Sequence, residues 1–234
     1  IGNELNIKFF QRSLSNNVVK IKIVGNHKPT ESIITITYNI FGNGLIDIEQ
    51  EIVTEKETLP ELPRFGMKMT LPKDFNRVSW YGRGPHESYW DRKTSAPIKV
   101  YSGTVWEQTY PYVRPQETGN KTDVRWMTLD NGRIGMLAIG QPLFDGSVHQ
   151  YPYQDLENVP GVNRHGKLDI KPKGQVDWLL DYRQTGIGGD NSWGARTHQK
   201  YTLDGKSTNY KHHFYLIPFI KGVDIIALSK INMN

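Results

Sequence analysis

Apolar side chains recur at every second position along this chain, and no stretch of it sustains a helical period. Ile34, Ile36, Tyr38 and Ile40 lie on one side of a segment whose other side is Thr35, Thr37 and Asn39. Phe65, Met67, Met69 and Leu71 alternate with Gly66, Lys68 and Thr70. Val176, Trp178, Leu180 and Tyr182 alternate with Asp177, Leu179 and Asp181. A period of two is that of a half-buried strand, since successive side chains leave a strand on opposite faces. Turn formers punctuate the strands. Asn43-Gly44 follows Ile33 to Ile40, and Asp130-Asn131-Gly132-Arg133 lies between Trp126 to Leu129 and Ile134 to Ile139. Asn-Gly between apolar runs marks a hairpin. Short strands at such spacing predict an all-β antiparallel sandwich.

Further strands are expected at Val18 to Val24, at a segment that Val78 and Trp80 close, and at Tyr210 to Phe219, ending near Pro218. After the first hairpin, Ile46, Ile48 and Ile52 point one way and Asp47, Glu49 and Glu51 the other. Two-residue spacing sets these carboxylates in a row on solvent rather than around an ion. Glu55 to Pro63 reads as a linker. Tyr153 to Asn158 is the one short helix expected, with Pro152 at its first position.

With 234 residues the chain can bury a sizeable core as one large all-β domain or two small ones. It holds no cysteine, which excludes disulfides, thiolate nucleophiles and Cys-ligated zinc. No apolar run approaches the roughly 20 residues of a membrane span, and no signal peptide is visible. The chain opens at Ile1 rather than Met, so it reads as a processed product or a cut-out piece, and its compartment stays open between cytoplasm and periplasm. Net charge is +5, yet no basic run exceeds two residues, as in Arg92-Lys93. A nucleic-acid partner needs a clustered basic patch, so no such partner is expected, and no membrane.

The stretch with the most specific composition is Thr185-Gly186-Ile187-Gly188-Gly189-Asp190-Asn191-Ser192-Trp193-Gly194. Its glycines admit close approach of another backbone or a ligand, and its Asp-Asn-Ser run can bond back to local backbone. Two readings are open from these residues. Trp193 fills the core at a tight strand connection, or it stands as a fixed aromatic plate for the apolar face of a sugar ring.

No catalytic constellation is visible. A retaining glycosidase needs two carboxylates about 5–5.5 Å apart, and no spacing singles out such a pair. His212 and His213 are adjacent in a strand and face opposite sides, so they cannot share a ligand. There is no H-E-x-x-H, G-x-S-x-G or phosphate loop, no metal ligand set, and no cofactor is expected.

The glycine-rich stretch resembles the G-[VI]-G-G-D-[DN]-S-W-G segment of beta-galactosidases of glycoside hydrolase family 2. Other segments carry the same resemblance in the expected order. Trp80-Tyr81-Gly82-Arg83-Gly84-Pro85-His86-Glu87-Ser88-Tyr89-Trp90-Asp91-Arg92 is similar to W-Y-G-x-G-P-x-E-N-Y-x-D-R. Tyr112-Val113-Arg114-Pro115-Gln116-Glu117-Thr118-Gly119-Asn120 is similar to Y-V-x-P-Q-E-N-G-N, with Thr122 to Trp126 after it. Asp155-Leu156-Glu157, behind Tyr151-Pro152-Tyr153, resembles a short helical piece before the final strands. Ser88 and Thr118 stand where Asn is usual, and Asn191 where Asp is common; local hydrogen bonds are what these departures touch. The strong match covers 62–219, the weak one 1–60.

The resemblance implies an antiparallel super-sandwich related to the galactose-mutarotase fold, forming one domain over 1–234 at the C-terminal end of a larger enzyme. It implies that the two catalytic glutamates sit in a barrel domain outside this chain, and that any divalent or monovalent cation of the parent is bound elsewhere. Only Trp193 carries over as a galactoside contact, with Asp190 and Asn191 as the loop that places it. Glu87, Asp91, Arg92 and Glu117 read as structural. The expected partners are the galactoside, the missing barrel and sandwich domains, and further copies in a homo-oligomer. A competing reading is a stand-alone sugar epimerase, for which His149 or His165 would pair with Glu157 or Asp169 in one cleft. A third is a free carbohydrate-binding module.

Overall fold

The computed structural model describes residues 4–54, 56–156, 170–191, 193–206 and 209–230. Among the described residues eleven strands carry the fold: β1 (Leu5–Ser15), β2 (Val18–His27), β3 (Ser32–Phe41), β4 (Ile46–Val53), β5 (Arg64–Pro72), β6 (Arg77–Arg83), β7 (Ile98–Thr104), β8 (Lys121–Asp130), β9 (Ile134–His149), β10 (Gln175–Gln184) and β11 (Asn209–Ile220). Every pairing is antiparallel. The path runs β1-β2-β3-β4-β11-β9-β8-β6-β7, and β10 leaves it to pair with β9 on one side and β5 on the other.

β9 makes two layers out of this one hydrogen-bonded system. Its first half, Ile134 to Gly140, pairs with β11, and its second half, Asp145 to His149, pairs with β10. On β8, Val124 faces Phe144 and Trp126 faces Ile139, so two steps on one strand match five on the other. The extra residues bulge and turn β9 from one layer into the next, as bulges do.

Between the layers lies a core of Ile48, Val78, Trp80, Val124, Met127, Leu129, Phe144, Val148, Val176, Trp178, Leu180, Phe214 and Leu216. Buried indoles need a partner for their N–H. Trp80 Nε1 donates to the Arg83 carbonyl at 2.9 Å, and Trp178 Nε1 to Met127 Sδ at 3.2 Å. The other face of β8, β9 and β11 carries Trp126, Leu137, Ile139 and Ile217, against which Ile225 and Leu228 of the short helix α1 (Ile225–Leu228) pack. Asp224 caps α1 by accepting from the Ile226 and Ala227 amides at 2.9 and 3.1 Å.

Three expectations need correction. Val78 and Trp80 open β6 rather than close a strand, because β6 runs on to Arg83 between β7 and β8. Glu55 to Pro63 is no loose linker: Leu59 and Leu62 are buried, and Leu62 bridges to Leu203. Helix is not confined to the Tyr153 region, where a 3-10 turn spans Tyr153–Leu156; further 3-10 turns lie at Trp106–Gln108 and Gln199–Tyr201, besides α1. Residues 157–158 of the expected helix fall outside the described residues.

Candidate functional site

The glycine-rich loop leaves β10 at Gln184 and is tied at its base by four sets of bonds. The Thr185 amide donates to the Pro63 carbonyl at 3.0 Å, and its hydroxyl donates to the Leu62 carbonyl at 2.7 Å while accepting from the Leu203 amide at 3.0 Å. The Gly186 amide donates to the Tyr201 carbonyl at 2.8 Å. The Thr197 hydroxyl lies at 2.8 Å from the Gly186 carbonyl and also meets that of Gly188. The fourth anchor comes from far away in sequence. The Asp91 carboxylate accepts from the Ile187 amide at 3.3 Å and from the Gly188 amide at 2.7 Å.

The glycines are what let Asp91 in. A Cβ on Gly186 would stand 2.6 Å from the Asp91 carboxyl carbon, and one on Gly188 2.8 Å from its Oδ2. Asp91 is held in turn by a tight turn in which the amides of Tyr89 and Arg92 each donate to the other's carbonyl, at 3.1 and 3.0 Å. Trp90, beside Asp91 in that turn, lies with the Arg183 guanidinium 4.2 Å from its ring centre and Tyr201 edge-on at 6.2 Å. One turn therefore holds the loop through the Asp91 carboxylate and the residues flanking it through the Trp90 indole.

Above this base the loop is open. Trp193 is 93% exposed, which overturns the core-filling reading of its ring. Its amide donates to Asn191 Oδ1 at 2.8 Å, a local bond of the kind that Asn favours in turns, and Gly194 follows with φ of 96°. Asp190 pairs with His198 at 2.9 Å, both side chains exposed, so the pair contributes little to stability. Asn191 thus sets the backbone at Trp193, whereas Asp190 braces the far limb of the loop. Ser192 lies outside the described residues.

The neighbouring polar residues hold loops together. Glu87 accepts from Arg92 Nη2 at 2.7 Å, the Gly119 amide at 2.8 Å, Thr118 Oγ1 at 3.2 Å and the Tyr112 hydroxyl. Glu117 accepts from the Tyr153 hydroxyl and lies 3.8 Å from Arg64. The residues at both departures from Asn are hydrogen-bonded: Ser88 Oγ accepts from the Thr122 amide at 3.0 Å, and Thr118 Oγ1 from the Tyr110 amide at 2.8 Å.

His149 offers no acid catalyst to a cleft. It is fully buried beside Tyr151 and Tyr153, and burial, with Arg64 nearby, pushes its pKa down to about 3. His165, Glu157 and Asp169, named with it in the epimerase reading, lie outside the described residues. Asp145 and Asp181 face each other across β9 and β10; burial raises both to about 7, with Arg64 opposing the rise at Asp181. A cavity of about 150 Å³ sits by the β8–β9 hairpin, lined by Arg77, Asp130, Arg133 and Phe219 among others. It is below the size of a usual ligand pocket and includes no residue of the loop.

On the outer face, His213 does meet one of the acidic residues read as a solvent row. Its Nε2 lies 2.7 Å from Asp47 Oδ1, and Asp47 also accepts from Asn39 at 2.9 Å. These bonds hold Asp47 below its ordinary range against the effect of burial, and the Asp47 bond raises His213. Donor atoms of Asp47, Glu49 and His213 come within 4.8 Å of one another. Sequence reading missed the meeting because His213 reaches it diagonally, from the position opposite Glu49. His212 faces inward and is buried, as the strand alternation requires.

Comparison with known proteins gives the site a context. The family model described as "Beta galactosidase small chain" matches residues 3–216. A beta-galactosidase of Priestia megaterium is 43% identical over 185 residues, covering 78% of this chain and 17% of that protein. A beta-galactosidase of Vibrio cholerae is 34% identical over 174 residues, covering 74% and 16%. The chain therefore spans about a sixth of the length of these relatives. Among solved structures, the galactosidase domain of an alpha-galactosidase-sucrose kinase superposes with a TM-score of 0.51 at 8% identity, covering 92% of this chain and 28% of that one. That likeness supports the all-β sandwich.

Proposed function

This chain belongs to the beta-galactosidase small-chain family, and from that premise we propose that it is the sandwich domain of a larger beta-galactosidase, one that completes the galactoside site without catalysing the reaction itself. The observation that carries the reading is the pairing of a fully exposed indole with a rigidly anchored base. Trp193 is 93% exposed, yet the loop beneath it is fixed by Asp91, Thr185 and Thr197. An aromatic ring that covers no core and stands on an anchored loop base suits a partner arriving from outside.

In this reading the two glutamates of a retaining mechanism belong to a barrel domain outside the 234 residues. The Trp193 indole stacks on the apolar face of the galactose ring; Asn191 sets the backbone beneath it, and Asp190 braces the far limb of the loop through His198. Because the loop is ordered beforehand, little conformational entropy is lost on binding. Any cation of the parent enzyme is bound outside this chain. The residues 1–234 act as one domain.

Aromatic contacts of this type contribute about 0.5–1.5 kcal/mol beyond area burial, at most about tenfold in affinity at 1.4 kcal/mol per decade. Trp193→Leu in the complete enzyme should weaken substrate and inhibitor binding by up to that factor and leave the domain folded. Unchanged affinity would refute the role of the loop. The isolated chain should not turn over a chromogenic beta-galactoside; turnover abolished by replacing one of its own carboxylates would refute the division of labour.

A further inference from the structure

The inner face of the sheet runs on past the layer that covers it. Directly opposed residues share a face, so each row across the sheet can be followed outward from the core. Phe214 and Ile48 are buried; Tyr38 and Ile21, next in the same row, are half-buried; Arg12 at the edge is exposed. Leu216 is 4% exposed, Ile46, Ile40 and Val19 are half-buried, and Leu14 reaches 73%. In a third row Ile36 and Ile23 are half-buried and Phe10 is 61% exposed. The gradient means that cover from β5 and β10 ends near β3. Beyond it, β2 and β1 carry a largely apolar floor that no other element among the described residues covers. At the side of that floor stands β5, an edge strand whose Met67, Met69 and Leu71 touch the core and remain half-buried.

We propose that this floor is the seat of the remaining part of the same beta-galactosidase, which meets it with an apolar surface. The inference rests on the reading of the chain as one domain of a larger enzyme. Two observations name the occupant. The family match begins at residue 3 and so includes β1 to β3, which makes the overhang part of a module that is a sixth of its relatives' length. The floor is also continuous with the Trp193 loop. Ile34, on the inner face of β3, packs with Ile52, Leu62, Phe65 and Leu203, and Leu62 and Leu203 hold the loop base through Thr185. One body seated on the floor thus stands beside the loop it completes.

The chain has no cysteine, so single thiols report burial without interference within it. Phe10→Cys and Leu14→Cys sample the inner face of β1, while Gln11→Cys and Ser13→Cys sample the outer face of the same strand. Maleimide labelling is read by peptide mass spectrometry in the isolated chain and in the complete enzyme. In the isolated chain all four should label quickly. In the complete enzyme the inner pair should slow at least tenfold and the outer pair should not. Four equal rates in the complete enzyme would overturn the proposal. Inner-face protection that already grows with concentration in the isolated chain would also overturn it, assigning the floor to a second copy. Protection of the inner pair in an enzyme whose affinity ignores Trp193→Leu would uphold the seat while removing the sugar-stacking role.

Discussion

Removing Asp91 should loosen the glycine-rich loop and leave the sandwich intact. The carboxylate accepts two amides, from Gly188 at 2.7 Å and Ile187 at 3.3 Å. Hydrogen bonds to a charged acceptor contribute about 1.5–3 kcal/mol each where water is excluded. Here the longer bond is exposed, and water takes over part of what is lost. A total of about 2 kcal/mol for Asp91→Ala is therefore the expected cost, or about thirtyfold in the local opening equilibrium at 1.4 kcal/mol per decade. Hydrogen–deuterium exchange of peptides covering 185–206 should accelerate by that factor. Amides of β8 and β9 should keep their protection, since Asp91 touches neither strand through these bonds. Asp91→Asn retains one acceptor but turns an N–H toward a backbone N–H, so it should fall between wild type and alanine. Unchanged exchange in 185–206 would refute the anchor. An equal loss of protection in β8 and β9 would show that Asp91 supports the whole sandwich rather than the loop.

Two further outcomes follow from particular residues. Gly189→Ala should displace the far limb of the loop, because a Cβ there runs into the backbone carbonyl of Ala195; Gly174→Ala, with open space around it, is the matched control. The first should cost about 1–3 kcal/mol as other overpacking changes do and the second less than about 0.5 kcal/mol, read from urea midpoints. Lys121 is buried over the Trp80 ring at 4.9 Å, and burial lowers its amine to about 8 from an ordinary 10.5. Between those values the unfolded chain binds the extra proton, so stability rises with pH from about 8 to 10.5 and is lowest below 8. Lys121→Met removes the buried charge, worth about 3 kcal/mol at 1.4 kcal/mol per unit, less the roughly 1–2 kcal/mol of its cation–π contact. It should therefore be the more stable form at pH 7 and lose that advantage near pH 10.5; a variant less stable at pH 7 would refute the argument.

The strands that face a covered core were legible because one of their sides had to be apolar. Val176, Trp178 and Leu180 recur at every second position, and all three are fully buried. β1 was not legible, since Ile7, Phe9 and Phe10 break the alternation on a strand exposed on both faces. No described element packs on β1 to select a single apolar side there. The loop was visible by its glycines, but its main anchor was not. Asp91 lies about a hundred residues upstream, and only the fold brings its turn against Gly186 and Gly188. Leu59 and Leu62 were read as linker because prolines and charges surround them, yet Leu62 buries itself by bridging to Leu203. His213 and Asp47 meet through strand order, which local pattern does not encode.

The corner in β9 has a consequence for how this sandwich tolerates change along its length. One strand keeps time for both layers: Ile134 to Gly140 is locked against β11, and Asp145 to His149 against β10. A one-residue slip in a strand sends each of its side chains to the opposite face. Within either paired half of β9, an inserted or deleted residue would put one layer out of phase with the other and turn Leu137 or Val148 the wrong way. Between them, Gln141 and Pro142 are exposed and bear no ladder pairing to β10 or β11. Length variation in this strand should therefore be admitted at the corner and nowhere else, so the corner works as an expansion joint in a frame that is otherwise phase-locked.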